Sequence, residues 1–270
     1  MGSRAMKHRT GRGNMQMCEA LEGTAEGANA RIWLNRPARM NALSTQVLED
    51  LAQAAHWFDS QPAVRVVIVA GRGRAFSAGA DLQGFPSLED GDLRAAADAG
   101  RRMADALENM QALAIAAVHG WCVGGGLVVA AACDLRLASD TARFSIPEVD
   151  LGIPLAWGGI PRLVREIGPA LTKELVITCR EFGPEEARSA GFLNRVVAEA
   201  ELESAALALA ESIAAKPAIP VFATKRHTNA VTAGMVGIDR AWSDADSLVG
   251  ALLDAECNAA REAYIKSRVG

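Results

Sequence analysis

The sequence is poor in the residues that build metal centres and disulfide frameworks. Its 270 residues include five cysteines and four histidines. The cysteines form an odd set with no CxxC pair, which argues against both a disulfide framework and a zinc site. The scattered histidines give little support to Ser-His-Asp chemistry. We therefore expect no bound metal and a reducing compartment, the cytoplasm.

Long hydrophobic runs and an excess of one charge are also absent. The most apolar stretch, Leu113–Leu137, is interrupted by His119, Asp134 and Arg136, so it does not predict a membrane span. Lys and Arg total 28 against 32 Asp and Glu, and this net charge of −4 offers no general footprint for nucleic acid. A composition of 50% apolar and 22% charged residues is typical of a folded globular domain. We expect neither a membrane nor a nucleic acid as a partner.

The first 16 residues contain basic side chains but no acid and no apolar segment. A secretory signal needs an apolar segment of about 7–15 residues, so this stretch does not fit one. We predict that residues 1–16 are a disordered tail or a remnant of cloning, and an organelle transit peptide is the alternative.

Strand and helix patterns alternate through the first half of the chain. Apolar, β-branched runs predict strands at 30–34, 64–70, 113–118 and 135–137. Helical spacing predicts helices that begin at the N-cap Ser44, near Asp92 and at Gly124. The remainder is predicted to be helical, at 158–167, 169–178, 184–190, 201–215, 217–231 and 236–266. The alternation predicts an α/β fold with a parallel sheet and right-handed crossovers.

Two glycine-containing loops follow the two most apolar strands. Gly71–Asp81 follows the first and Gly120–Gly126 follows the second, so both lie at the carboxyl edge of the predicted sheet, where α/β proteins bind ligands. Small residues there let backbone amides approach a substrate oxygen, and two such amides would form an oxyanion hole. Ordinary turns are the alternative. Neither loop has a phosphate-binding signature.

Four motifs together resemble the crotonase (enoyl-CoA hydratase/isomerase) superfamily. They occur in the order and approximate spacing of that family, over about residues 20–268: Leu34-Asn35-Arg36-Pro37 with Asn41-Ala42-Leu43, Phe76-Ser77-Ala78-Gly79-Ala80-Asp81-Leu82, Gly124-Gly125-Gly126 with Cys133-Asp134-Leu135-Arg136, and Phe144-Ser145-Ile146-Pro147-Glu148 with Leu151-Gly152-Ile153. The resemblance implies a spiral of ββα turns over 17–200 and a helical trimerisation region over 201–270. It also implies an acyl-CoA thioester substrate, a homotrimer or dimer of trimers, and no cofactor apart from the coenzyme A of the substrate.

The resemblance also implies roles for individual residues. The amides of Ala78 and Gly125 would hold the thioester oxygen. Residues expected beside coenzyme A are Arg36, Ala38, Phe76, Ser77, Ala78, Ala80 and, toward a neighbouring subunit, Tyr264. Candidates for its phosphates are Arg36, Arg39, Arg72 and Arg74, with solvated surface arginines as the alternative. Candidates for the acyl pocket, with ordinary core packing as the alternative, are Trp121, Val128, Leu155 and Trp157.

One departure from the family pattern decides the predicted reaction. Hydratases of the family use two glutamates, and Val128 stands here at the first of these positions while Glu148 stands at the second. A single carboxylate suits a proton shuttle, so we predict an isomerase that converts 3-enoyl-CoA to 2-enoyl-CoA. Burial of Glu148 against neighbouring apolar residues is expected to raise its pKa.

Other assignments remain open at this stage. A hydratase of fatty acid metabolism, an acyl-CoA-binding protein with reduced catalysis, and a hydrolase or decarboxylase of the same superfamily are the alternatives. If the segment from Glu148 is extended, Asp150 would face the same way and could replace the missing glutamate; a solvated acid is the other reading. We interpret His119 as a turn residue near the pocket that is also an accessory candidate. We expect Asp81 to stabilise its own loop.

Overall fold

The structure, a computed structural model, describes residues 14–82, 93–237 and 244–269. Most of the predicted tail (1–13), the predicted helix start at Asp92 and part of the predicted helix 236–266 (238–243) lie outside the described residues. The first strand, β1, spans Asn14–Cys18, so the end of the predicted tail belongs to a sheet.

The strands form a large sheet and a small sheet. In chain order they are β1 (Asn14–Cys18), β2 (Leu21–Glu26), β3 (Asn29–Leu34), β4 (Val66–Gly71), β5 (Ala75–Ser77), β6 (Leu113–Val118), β7 (Trp121–Val123), β8 (Leu135–Ser139), β9 (Arg143–Ser145) and β10 (Arg195–Val197). The large sheet has the order β1-β2-β3-β4-β6-β8-β10, and its strands from β3 onward pair in parallel. The small sheet has the order β5-β7-β9 and is also parallel.

The α-helices follow the strands in a regular order. In chain order they are α1 (Thr45–Asp59), α2 (Leu93–Asn109), α3 (Gly125–Ala132), α4 (Gly159–Thr178), α5 (Pro184–Ser189), α6 (Leu202–Ala214), α7 (Ala218–Met235), α8 (Asp244–Leu253) and α9 (Ala255–Val269). The units β4-β5-α2, β6-β7-α3 and β8-β9-α4 each take one strand from the large sheet, one from the small sheet and one helix. This repetition is the predicted ββα spiral, with the parallel sheet core and the helical C-terminal region.

Both faces of the large sheet are covered, as the continuous apolar strands predict. Val67 and Val69 of β4 belong to the main core beneath the helices α1, α2 and α3. Val66 and Ile68, which alternate with them, face a second cluster completed by α6. The region that begins at residue 201 therefore contributes its first helix to the core.

The C-terminal helices differ from the sequence prediction at one place. The separate helices predicted at 158–167 and 169–178 are confirmed as the two halves of α4, which is kinked at Gly168 (φ 75°, ψ 165°). The single helix predicted over 236–266 is wrong, because the described part of this stretch contains α8 and α9. Asp254 lies between them, and its Oδ1 accepts the Cys257 N–H at 2.9 Å, which begins a new helix.

Membrane-spanning length was tested over the described residues. No single helix there is long and apolar enough to cross a bilayer, although one sharply bent pair, formed by Glu199–Ala214 and Ala218–Met235, passes on length and composition.

Candidate active site

The turn that follows β9 places Glu148 at the edge of the sheet. The Leu151 N–H donates to Pro147 O at 3.0 Å and the Ile153 N–H donates to Glu148 O at 2.9 Å, which fixes the backbone of this turn. The Glu148 carboxyl lies directly on Gly124, because a Cβ built there would be 2.2 Å from Oε1. Only glycine at position 124 leaves room for this carboxyl group.

Glu148 is a buried acid without a neutralising partner. The residue is 9% exposed, and its Oε2 has no hydrogen-bond partner among the described residues. Burial favours the uncharged carboxyl and raises the pKa of Glu148 to about 7. The prediction that burial raises this pKa is confirmed. A group with this pKa can both accept and return a proton near neutral pH.

The two glycine-containing loops meet beside Glu148. Gly79 adopts φ +82°, and a Cβ built on it would lie 2.6 Å from Val123 O and 3.3 Å from Gly125 N. Gly125 is the first residue of α3, so its N–H has no acceptor one helical turn earlier. The backbone from Gly79 to Ala80 therefore passes close to a free amide at the positive end of a helix.

The structure corrects the predicted second amide donor. The Ala78 N–H donates to Met40 O at 2.8 Å and is therefore already used within the protein. Ala80 lies two residues after Ala78. The Leu43 N–H donates to Gly79 O and the Asp81 N–H donates to Leu43 O, so the Ala80 amide between them points away from Leu43. No acceptor in the described part of the chain bonds the Ala80 N–H. Ala80, which the sequence had suggested only as a neighbour of coenzyme A, replaces Ala78 as the candidate donor.

The four predicted acyl-pocket residues lie in three different places. Val128 is 0% exposed, and together with Leu155 it packs against Gly159 as part of the main core. Trp121 lies beneath the guanidinium of Arg143, 5.7 Å from the ring centroid, and is not among the apolar residues packed on the main core. A role in the acyl pocket remains a prediction for Val128, Leu155 and Trp121. Trp157 contacts Gly125, the residue that carries the candidate amide donor.

Trp157 is half-buried and contacts the amide donor directly. A Cβ built on Gly125 would lie 2.1 Å from Cζ3 of the Trp157 indole. The ring therefore lies in van der Waals contact with Gly125. The residue before it, Gly124, is the one against which the Glu148 carboxyl lies.

The two accessory candidates do not reach Glu148. Asp150 is exposed, and the segment from Glu148 onward is a turn, so the extended geometry that would place both acids on one face is absent. The His119 Nε2 donates to Gly73 O at 2.8 Å. This supports the interpretation of His119 as a turn residue and gives it no contact with the carboxyl group.

Two of the residues predicted beside coenzyme A are sealed in the core. Phe76 and Ser77 are fully buried, so they cannot touch a ligand. Ser77 instead ties the loop together, because its Oγ donates to Asn41 O at 2.9 Å and accepts the Gly79 N–H at 3.1 Å. Ala38 is exposed, and Ala80 is partly exposed. Of the alanines predicted beside coenzyme A, Ala38, Ala78 and Ala80 all retain exposed surface.

Three of the four candidate arginines are held by other groups. Arg36 and Arg39 both contact the buried carboxylate of Asp81, at 2.9 and 3.3 Å, which confirms Asp81 as a stabiliser of its loop. Arg72 pairs with Glu22 at 3.0 Å and lies over the Trp33 ring. Arg74 is exposed and has no ion pair with any residue that the structure describes. A role of any of these arginines at a phosphate remains a prediction.

Tyr264 packs within its own chain. It contacts the small cluster that contains Leu151 and Ile153, beside the Glu148 turn. A Cβ on Gly152 would lie 2.3 Å from Cys257 O, so α9 also presses on this turn. Tyr264 thus contacts its own chain beside this turn, and its contact with a neighbouring subunit remains a prediction.

A metal site has no visible basis in the described ranges. No group of three or more His, Cys, Asp or Glu side chains there is arranged to hold an ion. The expectation that the protein uses no cofactor remains a prediction.

Comparison with known proteins identifies the family. A family model described as enoyl-CoA hydratase/isomerase matches residues 24–268. The chain belongs to this family, the crotonase superfamily. It is an enzyme of the acyl-CoA class, and its α/β fold is that of the superfamily.

Individual relatives include proteins named for two different reactions. Over 216 residues the chain is 36% identical to a protein of Syntrophomonas wolfei named crotonyl-CoA hydratase, covering 79% of this chain and 82% of the relative. Over 220 residues it is 32% identical to a peroxisomal protein of Arabidopsis thaliana named Delta(3,5)-Delta(2,4)-dienoyl-CoA isomerase, covering 77% and 79%. The crystal structure of an enoyl-CoA hydratase/isomerase from Mycobacterium paratuberculosis has a TM-score of 0.85 and 27% identity, covering 91% of this chain and 98% of that one.

Proposed function

We propose that the enzyme isomerises 3-enoyl-CoA to 2-enoyl-CoA, with Glu148 as the only proton shuttle. The observation that carries this proposal is the buried carboxyl of Glu148, which has a pKa of about 7 and an Oε2 without a partner among the described residues, in a chain whose other glutamate position of the family pattern is the apolar Val128. The amides of Ala80 and Gly125 are the donors for the thioester oxygen.

The reaction needs one base and one pair of fixed donors. Ionised Glu148 removes a proton from C2 of the thioester, and the electron pair of that C–H bond forms a dienolate whose negative charge lies on the thioester oxygen. The two amides stabilise that charge without reorganisation. Glu148 then returns the proton to C4, the carbonyl forms again, and the double bond lies between C2 and C3. No other reactant enters or leaves.

Hydration makes a demand that this site meets less well. Adding water to a 2-enoyl thioester calls for one group to activate the water and usually a second to hold it or manage the C2 proton. Val128 supplies no oxygen, and Asp150 lies outside the site. The similarity to a relative named crotonyl-CoA hydratase keeps hydration as the second candidate, with Glu148 as the only base.

The test compares two acids of one turn. Glu148→Gln removes the shuttle while preserving shape, and we expect it to lower kcat for 3-hexenoyl-CoA by about 10³-fold. Asp150→Asn is the matched control, and its kcat is expected to stay within about twofold, since typical effects of exposed substitutions are small. Full turnover by the Gln variant would overturn the proposal, and hydration by the wild-type protein as its main reaction would favour the second candidate.

Assembly is also a proposal. The helix α7 buries only Lys225, whose Nζ binds Asp134 at 2.7 Å, while Ile219 and Met235 are 83% and 77% exposed. An apolar helix surface of this kind favours contact between copies of the chain. We propose a homotrimer or a dimer of trimers, to be tested by sedimentation equilibrium; a monomer at micromolar concentration would reject it. The cytoplasm remains the proposed compartment.

A further inference from the structure

The indole of Trp157 occupies a slot made by two glycines on two different helices. A Cβ built on Gly100 of α2 would lie 2.1 Å from Cδ2, and one built on Gly125 of α3 would lie 2.1 Å from Cζ3. Any side chain at either position would overlap the ring. The aromatic ring fits between α2 and α3 because both facing residues are glycines.

This slot opens on the reacting groups. Gly125 carries one of the amides that the proposed function assigns to the thioester oxygen, and the Glu148 carboxyl lies on Gly124. Under the proposed function, the carbons that exchange a proton with Glu148 lie near Gly124 and Gly125. The acyl chain beyond those carbons would then extend toward the indole, which lies between Gly125 and Gly100 of α2.

The backbone and its neighbours hold the indole in place. Trp157 has φ +62°, a left-handed conformation that is unfavourable for a bulky side chain. Its carbonyl accepts from Arg162 Nη1 at 3.2 Å, and the next N–H, of Gly158, donates to Asp244 Oδ2 at 2.8 Å. Arg162 is fully buried and is itself bound by two acids of α2, Asp105 at 2.9 Å and Glu108 at 2.6 Å. These contacts fix the backbone of Trp157, while the close approach of Gly100 and Gly125 confines the ring between α2 and α3.

We infer that Trp157 is a specificity-determining residue that ends the acyl cavity and restricts the enzyme to short acyl chains, butenoyl and hexenoyl thioesters in preference to octenoyl and decenoyl. This inference rests on the proposed function, since it places the thioester at Gly125. A longer chain must leave its end in water or displace the ring. Each methylene left in water forgoes a gain of roughly fourfold in affinity.

Binding of unreactive thioesters tests the inference separately from catalysis. Saturated butanoyl-, hexanoyl-, octanoyl- and decanoyl-CoA are titrated calorimetrically into the full-length wild-type protein and into Trp157→Ala. We expect wild-type affinity to stop rising after hexanoyl-CoA. We expect Trp157→Ala to bind decanoyl-CoA at least about tenfold more tightly than wild type, with butanoyl-CoA changed by less than about threefold.

A second tryptophan provides the matched control. Trp57 is also half-buried against the main core, where it packs edge-on to Phe58 at 4.9 Å. Trp57→Ala should keep the wild-type profile of affinity against chain length. If Trp157→Ala does not fold, Trp157→Leu shortens the same side chain with less loss of packing, and it should shift the profile in the same direction.

The outcomes separate this inference from the proposed function. A folded Trp157 variant with an unchanged ratio of decanoyl-CoA to butanoyl-CoA affinity overturns the inference and leaves the isomerase proposal intact. Wild-type affinity that rises steadily to decanoyl-CoA also overturns it. A wild-type protein that binds none of the four thioesters overturns both.

Discussion

Glu148 and Arg162 are both buried charged residues, and their surroundings are opposite. Arg162 donates to Asp105 and Glu108 and to two backbone carbonyls, so nearly all of its polar atoms are satisfied and only Nε lacks a partner among the described residues. Glu148 has an unpartnered Oε2 and no facing cation in the described ranges. The compensated charge at Arg162 holds α2 and α4 together, whereas the uncompensated one at Glu148 is kept ready for a proton.

In this enzyme, a buried charged residue with partners supports the fold, and a buried charged residue without them serves the chemistry. A buried charge without partners costs folding free energy, which selection tolerates mainly at functional sites. The two regions are also linked, because Arg162 fixes the carbonyl of Trp157, whose ring lies on Gly125.

The largest expected effect on stability follows from removing the buried charge of Arg162. Arg162→Met keeps most of the side-chain volume but removes the charge that faces two carboxylates. We expect the free energy of unfolding to fall by about 3–5 kcal/mol, measured by urea denaturation at equal protein concentration. The control is Arg143→Met, an exposed arginine 3.8 Å from Glu181, which should change stability by about 1 kcal/mol or less. Equal effects of the two substitutions would refute the structural role of Arg162.

Removing the carboxyl of Glu148 should raise the free energy of unfolding, the opposite of the effect expected at Arg162. The folded-state pKa of Glu148 is raised from 4.5 to about 7, so its protonated form stabilises the protein below pH 4.5 and this stability is lost as pH rises to 7. Glu148→Gln has no such loss. We expect it to be more stable than wild type by up to about 3 kcal/mol above pH 7, with no difference below pH 4.5.

Urea denaturation across this pH range measures the effect. Asp150→Asn, an exposed acid on the same turn, should show a difference from wild type that does not vary in this way. A Gln variant less stable than wild type at high pH would mean that the carboxylate has a stabilising partner.

A smaller effect is expected in the pH dependence of catalysis. Because Glu148 must be ionised to remove a proton, kcat/KM should rise about tenfold per pH unit at low pH and level off above about 7. Steady-state assays of 3-hexenoyl-CoA between pH 5 and 9 would measure this profile. An inflection below pH 5 would show that Glu148 is solvated in the working enzyme.

The sequence predicted the frame of the fold because its signals were local. The apolar run at 113–118 coincides with β6, and Ser44 caps α1 with its side chain accepting from the Val47 N–H. The short strands of the small sheet, such as β7, were missed because a segment of three residues carries no periodicity. The break at Asp254 was missed because the helical pattern continues across it.

The site was predicted in part. Glu148 followed from the motif and its burial from the apolar neighbours, but the exchange of Ala78 for Ala80 depends on which amide Met40 O occupies, a contact between distant segments. In an extended loop, amides two residues apart point the same way, so Ala78 and Ala80 are both candidates. Only the hydrogen-bond partner of each amide decides between them. Likewise, Gly100 carries no sequence signal for its contact with Trp157.

The central claim is that one buried carboxylate moves a proton within the substrate and adds no water. The most direct measurement incubates 3-hexenoyl-CoA with the enzyme in water labelled with heavy oxygen and resolves the early products by mass. The account predicts unlabelled 2-hexenoyl-CoA as the main product, and its loss in Glu148→Gln. Labelled 3-hydroxyhexanoyl-CoA formed as fast as the 2-enoyl product would contradict it.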